Sequence, residues 1–136
     1  MNVKVRYYSK TGNTKKLAEA IAEAAGVKGE TVAEPVNDET DVLFLGAAVY
    51  AYGVSKEIKD FIGKLNPSLV KKVVVFSDSA LAERAYPSVA RLLKDKGINV
   101  AEENFYCRGQ FLHLHTGRPN AEDLASAKSF AKKIVG

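Results

Sequence analysis

The sequence predicts an α/β fold, a doubly wound three-layer sandwich around a five-stranded parallel sheet of strand order 2-1-3-4-5. Short β-rich segments alternate with segments of helical periodicity along all 136 residues, which is typical of βαβ units. The segment 42–49 is nearly all apolar, as expected for a strand that is covered on both faces. Right-handed crossovers leave few strand orders, and the weak second strand suits a sheet edge. We expect one domain over residues 1–136.

Three strands and one helix are predicted in the first third of the chain. The first strand covers Val3 to Tyr8, and a helix that ends near Gly26 follows it after the loop 9–14. Apolar residues at positions 17, 21, 24 and 25 fall on one face of that helix. Thr31 to Ala33 is predicted as a short second strand and Val42 to Val49 as the third.

Two further strands and three helices are predicted in the rest of the chain. A helix begins after Ser55, a favourable N-cap, and stops at Asn66-Pro67. The fourth strand, the third helix and the fifth strand follow as Val73–Phe76, a segment from near Pro87 to Gly97, and Ile98–Tyr106. The last helix starts at Ala121, with Asn120 as its N-cap.

The composition is that of an ordinary soluble globular protein, with 46% hydrophobic and 26% charged residues. The lone cysteine, Cys107, excludes an intramolecular disulfide and a cysteine-rich zinc or iron–sulfur site. We expect it to pack as a small apolar residue. A redox function would therefore need a bound cofactor.

Charge and hydropathy argue against a membrane or nucleic-acid partner. Lysine and arginine number 20 and the acids 16, a formal charge of +4, but the two signs are interleaved along the chain. No segment approaches the roughly 20 apolar residues that span a bilayer. The N-terminal residues Met1 to Arg6 carry charges where a signal peptide would be apolar. We expect a cytoplasmic protein that binds neither a membrane nor a nucleic acid.

The loop after the first strand has the composition of a phosphate site. Ligands of doubly wound sheets bind past the carboxyl ends of the strands where the strand order reverses, here between strands one and three. The loops at that edge are 9–14, 48–55 and 77–86. The first brings hydroxyl groups, backbone N–H groups and a glycine to a helix N-terminus, as Ser9-Lys10-Thr11-Gly12-Asn13-Thr14. An ordinary helix start has the same residue types, and the spacing matches neither the ATPase P-loop nor the dinucleotide fingerprint.

The other two loops add aromatic and polar side chains. Val49-Tyr50-Ala51-Tyr52-Gly53 ends the third strand, and its tyrosines are suited either to stacking on a flat aromatic ligand or to covering the core. Ser77-Asp78-Ser79 follows the predicted fourth strand and provides polar groups, which are also common in turns.

Two of these loops and the C-terminal region carry a family resemblance. The stretch from Tyr7 to Thr14 resembles the [ST]-x-T-G-x-T loop with which flavodoxins bind the phosphate of FMN. The loop around Tyr50 and Tyr52 resembles their second flavin loop. The tail is similar to small bacterial flavodoxin-domain proteins in Phe105-Tyr106-Cys107-Arg108-Gly109 and Gly117-Arg118-Pro119-Asn120. The resemblance implies FMN as cofactor and a carrier that passes electrons between a reductase and an acceptor enzyme.

The resemblance also implies a role for each site residue. The phosphate would be held by Ser9, Thr11, Asn13 and Thr14, within the loop that also contains Lys10 and Gly12. The flavin ring would stack on Tyr50 or Tyr52, in the loop that also contains Val49, Ala51 and Gly53. The pyrimidine edge would meet the backbone from Ser77 to Ser79, Asp78 included.

Two other functions stay open: an NAD(P)H-dependent quinone or small-molecule reductase on the same fold, and an interaction domain that has lost FMN. No catalytic residue is predicted, and no metal site, since His113 and His115 lack further ligands nearby.

Lys4 and Arg6 are unusual in a central strand. We expect them to snorkel or to form an ion pair beneath a helix end, with support of the phosphate loop by Arg6 as the alternative.

Overall fold

Strands and helices alternate along the chain, as the sequence predicts. The computed structural model describes residues 1–50, 53–79, 85–110 and 115–136, without the side chains of Val49 and Tyr50. The elements in these ranges are β1 (Val3–Tyr7), α1 (Asn13–Ala25), β2 (Gly29–Thr31), β3 (Val42–Tyr50), β4 (Gly53–Val54), α2 (Lys56–Lys64), β5 (Val73–Ser79), α3 (Tyr86–Asp95), β6 (Phe105–Arg108) and α4 (Ala121–Val135). Among these helices, none combines the length and the apolar composition that crossing a membrane requires.

The sheet has the strand order β2-β1-β3-β5-β6, and these five strands are parallel. The order confirms the prediction of 2-1-3-4-5, because β5 and β6 are the fourth and fifth strands of the parallel set. β1 pairs with β3 from Val3 opposite Val42 to Tyr7 opposite Gly46. The carboxyl ends of β1 and β3 therefore lie side by side where the order reverses. The prediction lacks β4, a two-residue strand that pairs antiparallel with the end of β3.

Two apolar layers lie on opposite faces of the sheet, which confirms the three-layer sandwich. On one face α1 and α4 pack against the strands through a buried cluster that includes Leu17, Ile21, Ala127, Val5, Phe44 and Phe76. On the other face α2 and α3 do so through a cluster that includes Ile58, Phe61, Val89, Leu93, Leu45 and Val75.

Two helices are capped by the residues that the sequence indicates. Ser55 Oγ accepts a hydrogen bond of 3.3 Å from the Ile58 N–H at the start of α2. Asn120 and Asp123 form a reciprocal capping box at the start of α4. Both signals could be read from the sequence because a capping residue is adjacent to the helix that it caps.

Two strand positions in the prediction are wrong. β2 covers Gly29–Thr31 and not 31–33, because the Thr31 hydroxyl accepts a hydrogen bond from the Ala33 N–H, which turns the chain. β6 begins at Phe105 and not at residue 98. The Ile98 N–H instead closes the end of α3 by donating to the Leu93 carbonyl, and the segment before Phe105 joins the sheet through an isolated bridge at Val100.

The fourth parallel strand, β5, extends to Ser79 and not to Phe76, which corrects the assignment of residues 77–79 to a loop. Ser77 and Asp78 pair with β3 on one side, and all three residues pair with β6 on the other. All three are buried. Serine and aspartate are common in turns, but pairing with both neighbouring strands outweighs that local preference here.

Lys4 and Arg6 of β1 lie against the segment that connects β2 with β3. The Lys4 ammonium is 3.1 Å from an Asp38 carboxylate oxygen. The Arg6 guanidinium is buried and donates to the carbonyl oxygens of Glu34 at 3.0 Å and Pro35 at 3.3 Å. The expected ion pair is thus present at Lys4, and Arg6 forms one as well, with its guanidinium 3.7 Å from a carboxylate oxygen of Glu30 in β2. None of these partners belongs to a helix end.

Candidate functional site

The candidate site lies at the N-terminus of α1, beside the carboxyl ends of β1 and β3. Gly12 is the N-cap residue and has φ +94°, a left-handed conformation that glycine adopts without steric cost. Among the residues that the structure describes, none caps the helix there through its side chain. Ser9 Oγ instead accepts a hydrogen bond of 2.9 Å from the Gly12 N–H, which closes the loop on itself. The first N–H groups of α1 are therefore available to a ligand.

The charges around this helix end are positive. Lys15 and Lys16 lie in the first turn of α1, Lys10 precedes it, and all three are exposed. The first turn contains no acidic residue, whereas α2 and α4 both begin with acidic residues. Cations at this position are unfavourable for the helix itself, because the helix dipole is positive at its N-terminus. The electrostatic potential there is the one that attracts an anion.

A buried hydrogen bond connects this helix end to β5. The Thr14 hydroxyl donates to Asp78 Oδ1 over 2.5 Å, and the two residues are 1% and 4% exposed. Burial raises the pKa of Asp78 to about 6, although the hydrogen bond from Thr14 acts to lower it. The carboxyl group therefore changes its protonation state close to neutral pH.

A second connection runs from α1 to the chain after β6. The Asn13 side-chain amide donates to the Gln110 carbonyl over 2.8 Å. The Gln110 N–H donates to the Arg118 carbonyl over 2.8 Å, and the Gln110 side-chain oxygen accepts from the Gly117 N–H over 2.8 Å. Asn13 and Gln110 thus hold the segments before and after residues 111–114 at the end of α1.

Two glycines allow these elements to approach closely. A β-carbon on Gly109 would lie 2.5 Å from Asp78 Oδ2 and 2.9 Å from the Asn13 amide nitrogen. A β-carbon on Gly46 would overlap the Phe76 ring and lie 3.0 Å from the Thr14 methyl carbon. Neither position has room for a side chain without a shift of its neighbours.

The structure brings most of the predicted phosphate loop together. Ser9, Gly12, Asn13 and Thr14 lie at the helix end, with Lys10 and Thr11 exposed beside them. The side chains of Asn13 and Thr14 are engaged with Gln110 and Asp78, so they support the loop from below.

The second and third predicted loops are described in part. Val49 pairs with Val54, and Tyr50 with Gly53, in the β3–β4 hairpin. The side chain of Tyr50 lies outside the described residues, as do Ala51 and Tyr52, so stacking by a tyrosine stays a prediction. Asp78 is hydrogen-bonded to Thr14 at the N-terminus of α1, whereas Ser77 and Ser79 lie on the opposite face of β5.

Three residues that lie at this site are not among the predicted site residues: Gly46, Gly109, which is named only for the family resemblance, and Gln110. Gly46 stands inside an apolar strand, a position that often marks a close backbone approach, and this signal was present in the sequence. Gln110 is 97 residues from its partner Asn13, and no local pattern indicates such a contact.

Cys107 packs in the apolar layer next to α1 and α4, as predicted. Burial raises the pKa of its thiol to about 12, which makes it a poor nucleophile. His113 lies outside the described residues, and His115 has φ +52°. Within the described ranges, no group of three or more His, Cys, Asp or Glu side chains is placed to hold a metal ion.

Comparison with known proteins gives consistent matches. A family model for the flavodoxin domain matches residues 4–116. The chain is 27% identical to an uncharacterized protein of Methanocaldococcus jannaschii, over 90% of each chain. A flavodoxin from the domain Archaea has a similar structure, with a TM-score of 0.77 and 19% identity over 98% of this chain and 96% of that one.

The same fold also occurs within a longer chain. The rubredoxin oxygen:oxidoreductase of Desulfovibrio gigas matches with a TM-score of 0.76 and 15% identity, over 98% of this chain but 35% of that one. These structural likenesses concern the fold. The family match extends from β1 past β6, includes the uncapped helix end and the Thr14–Asp78 pair, and shows that this chain belongs to the flavodoxin family.

Proposed function

We propose that this protein binds FMN, with the phosphate at the N-terminus of α1, and carries electrons between a reductase and an acceptor protein. The observation that carries the proposal is the uncapped, lysine-flanked end of α1 at the edge where the strand order reverses. Membership of the flavodoxin family supports the same cofactor.

The residues at this helix end fit a phosphate monoester. Gly12 has no side chain to obstruct the approach of a ligand, and the first turn of α1 presents backbone N–H groups along the helix axis. The hydroxyl groups of Ser9 and Thr11 are further hydrogen-bond donors. Lys10, Lys15 and Lys16 add a positive potential. FMN supplies the redox chemistry when bound, and the protein's part is to hold and orient it.

For the flavin ring, we retain Tyr50 or Tyr52 as the stacking residue. We retain the backbone from Ser77 to Ser79, at the carboxyl end of β5, for the pyrimidine edge.

The test is a titration of the flavin-free protein with FMN and with riboflavin, followed by visible absorbance and by quenching of flavin fluorescence. Riboflavin has the same ring without the phosphate. We expect FMN to bind at least about tenfold more tightly, since a hydrogen bond to a charged group contributes about 1.5–3 kcal/mol and about 1.4 kcal/mol is a factor of ten.

Two matched glycine variants locate the phosphate. Gly12 and Gly26 stand at opposite ends of α1, both have positive φ values, +94° and +73°, and neither has an atom within 4 Å of an added β-carbon. Gly12→Ala and Gly26→Ala should therefore cost similar stability. We expect Gly12→Ala alone to weaken FMN binding, with no effect of either variant on riboflavin binding.

The outcomes separate the carrier from the other two functions. If no FMN binding is detected at high micromolar concentration, the proposal is contradicted and an interaction role on a flavodoxin fold remains. A bound flavin that NAD(P)H bleaches without a partner reductase indicates an enzyme. A flavin that a reductase must reduce, and that then reduces an acceptor protein, is the result expected of a carrier.

A further inference from the structure

Asp78 is a buried carboxyl group directly behind the proposed phosphate site. Its Oδ1 accepts the hydrogen bond from Thr14, the second residue of α1. Its Oδ2 lies against Gly109, so closely that a β-carbon there would be 2.5 Å away. The Thr14 N–H belongs to the first turn of α1, so the carboxyl group and the phosphate donors share one residue.

The groups around this carboxyl are mainly uncharged. From α1 it meets Thr14, in β3 it pairs with Ala48 and in β6 with Cys107, and Gly109 of the following turn lies against Oδ2. The two arginines described between β6 and α4 have partners of their own. Arg118 is 2.5 Å from Asp123 at the start of α4, and the Arg108 guanidinium lies 5.7 Å above the Tyr106 ring. Among the described residues, no cation forms an ion pair with Asp78.

A phosphate dianion at the end of α1 and an ionised Asp78 are like charges at close range. The site is buried on the Asp78 side, so water screens their repulsion weakly. Each of two nearby anions raises the pKa of the other, and the group that takes up a proton is the one whose pKa is already close to neutral pH. The pKa of Asp78 is about 6, whereas that of an ordinary exposed aspartate is about two units lower.

We propose that Asp78 is a proton-linked positioning residue for the phosphate: it is ionised and holds the Thr14 hydroxyl in the flavin-free protein, and it takes up a proton when a phosphate dianion binds. This inference rests on the proposed function, because it concerns the same helix end.

The hydrogen atoms balance in a simple exchange. In the flavin-free protein, the Thr14 O–H donates to the carboxylate. After uptake of one proton from solvent, the carboxyl O–H donates to the Thr14 oxygen, which can accept while it donates elsewhere. The Thr14 hydrogen is then free to turn to a phosphate oxygen. Proton uptake thus removes a repulsion and adds a donor at the same residue.

The experiment measures the dissociation constant of FMN at several pH values between about 5.5 and 8 for the wild type and for Asp78→Asn. The asparagine is neutral at every pH and has nearly the same shape. FMN itself changes charge in this range, because its phosphate has a second pKa near 6. That change affects both proteins alike, so the readout is the ratio of their dissociation constants.

We expect the ratio of wild type to Asp78→Asn to rise about tenfold between pH 5.5 and pH 8, the factor that corresponds to about one pH unit of difference in the Asp78 pKa between the two states. Riboflavin, which lacks the phosphate, is the control, and its ratio should stay constant. A ratio for FMN that is independent of pH overturns the inference while FMN binding itself stands.

Calorimetry on the wild type gives a second measurement that does not depend on the variant. FMN is injected at about pH 6.5 in two phosphate-free buffers with different ionisation enthalpies, and the difference yields the number of protons bound. The change in protonation of the FMN phosphate accounts for part of the measured number. We expect the uptake with FMN to exceed that part by about half a proton, and no uptake with riboflavin. The carboxyl carbon resonance of Asp78 should titrate at a higher pH in the complex than in the free protein. If the change in protonation of the phosphate accounts for all protons bound, the inference is overturned. If FMN does not bind at any pH, the proposed function is overturned with it.

Discussion

The hydroxyl of Thr14 and the carboxyl of Asp78, 64 residues apart in sequence, form a buried hydrogen bond of 2.5 Å that joins the first turn of α1 to the end of β5. It couples the proposed phosphate site to the central sheet. The bond also explains how an aspartate is accommodated in a buried strand, since a buried polar group needs a partner.

The free energy of unfolding should depend on pH through Asp78. Its pKa is about 6 in the folded protein and 3.8 in an ordinary aspartate, so the folded state binds the proton more tightly. The contribution of this group to stability is therefore fully present below about pH 4 and is lost as the pH rises through about 6. Between about pH 5 and 7.5 the loss is on the order of 1 kcal/mol, and Asp78→Asn should abolish this pH dependence.

Urea unfolding of both proteins at a series of pH values measures this difference. Asp78→Asn should be the more stable protein at pH 7.5 and should approach the wild type at pH 5. Curves of unfolding free energy that run parallel in the two proteins would show that Asp78 does not titrate in this window.

Gly109→Ala should destabilise the protein by about 1–3 kcal/mol, because the new methyl group would overlap Asp78 Oδ2. Gly63→Ala is the matched control. Gly63 lies within α2 with nothing within 4 Å of an added β-carbon, so alanine there should stabilise by about 0.5–1 kcal/mol. Thermal unfolding of the two variants should give shifts of opposite sign.

A double-mutant cycle assigns the Gly109 effect to Asp78. The loss caused by Gly109→Ala should shrink when Asp78 is replaced by alanine, which removes the carboxylate that the methyl group meets. Additive losses in the cycle would mean that the alanine acts through the backbone instead.

The fold could be predicted because its signals are local or periodic. The alternation of elements, the apolar run of β3 and the caps Ser55 and Asn120 each lie within one element or next to it. The errors fall where long-range pairing decides. Residues 77–79 have turn-like composition, yet β3 and β6 pair with them. β2 has three residues and little apolar content, so its position depends on the Thr31 turn that follows it.

The sequence indicates where the candidate site lies but not which distant residues its side chains bond to. The loop motif located the helix end, because Gly12 and the hydroxyl residues around it lie in one short stretch. The partners of Asn13 and Thr14 could not be found in this way, since Gln110 and Asp78 lie far away in sequence. The sequence predicts Asn13 and Thr14 as phosphate contacts, and that stays a prediction; what it does not indicate is that their side chains also bond to Gln110 and Asp78.

Arg6→Met should cost about 2–4 kcal/mol of unfolding free energy. The Arg6 guanidinium donates to the carbonyl oxygens of Glu34 and Pro35, and its loss leaves polar groups without a donor in a partly buried region. Lys4→Met is the matched control from the same strand. Its partner Asp38 is exposed, so the loss should be much smaller. Urea denaturation of both variants measures the contrast, and equal losses would mean that Arg6 contributes as a surface ion pair does.

Lys16→Glu should change stability and FMN affinity in opposite directions. Lys16 is exposed in the first turn of α1, where a glutamate interacts favourably with the helix dipole, so the flavin-free variant should keep its stability or gain about 0.5 kcal/mol. The same change places a negative charge beside the proposed phosphate and should weaken FMN binding about fivefold at low salt, with a smaller effect at high salt. Lys64→Glu, in the last turn of α2, reverses a charge at the other end of a helix, and should lower stability while FMN affinity is unchanged. Equal FMN affinities in the two variants would remove the electrostatic argument that places the phosphate at α1.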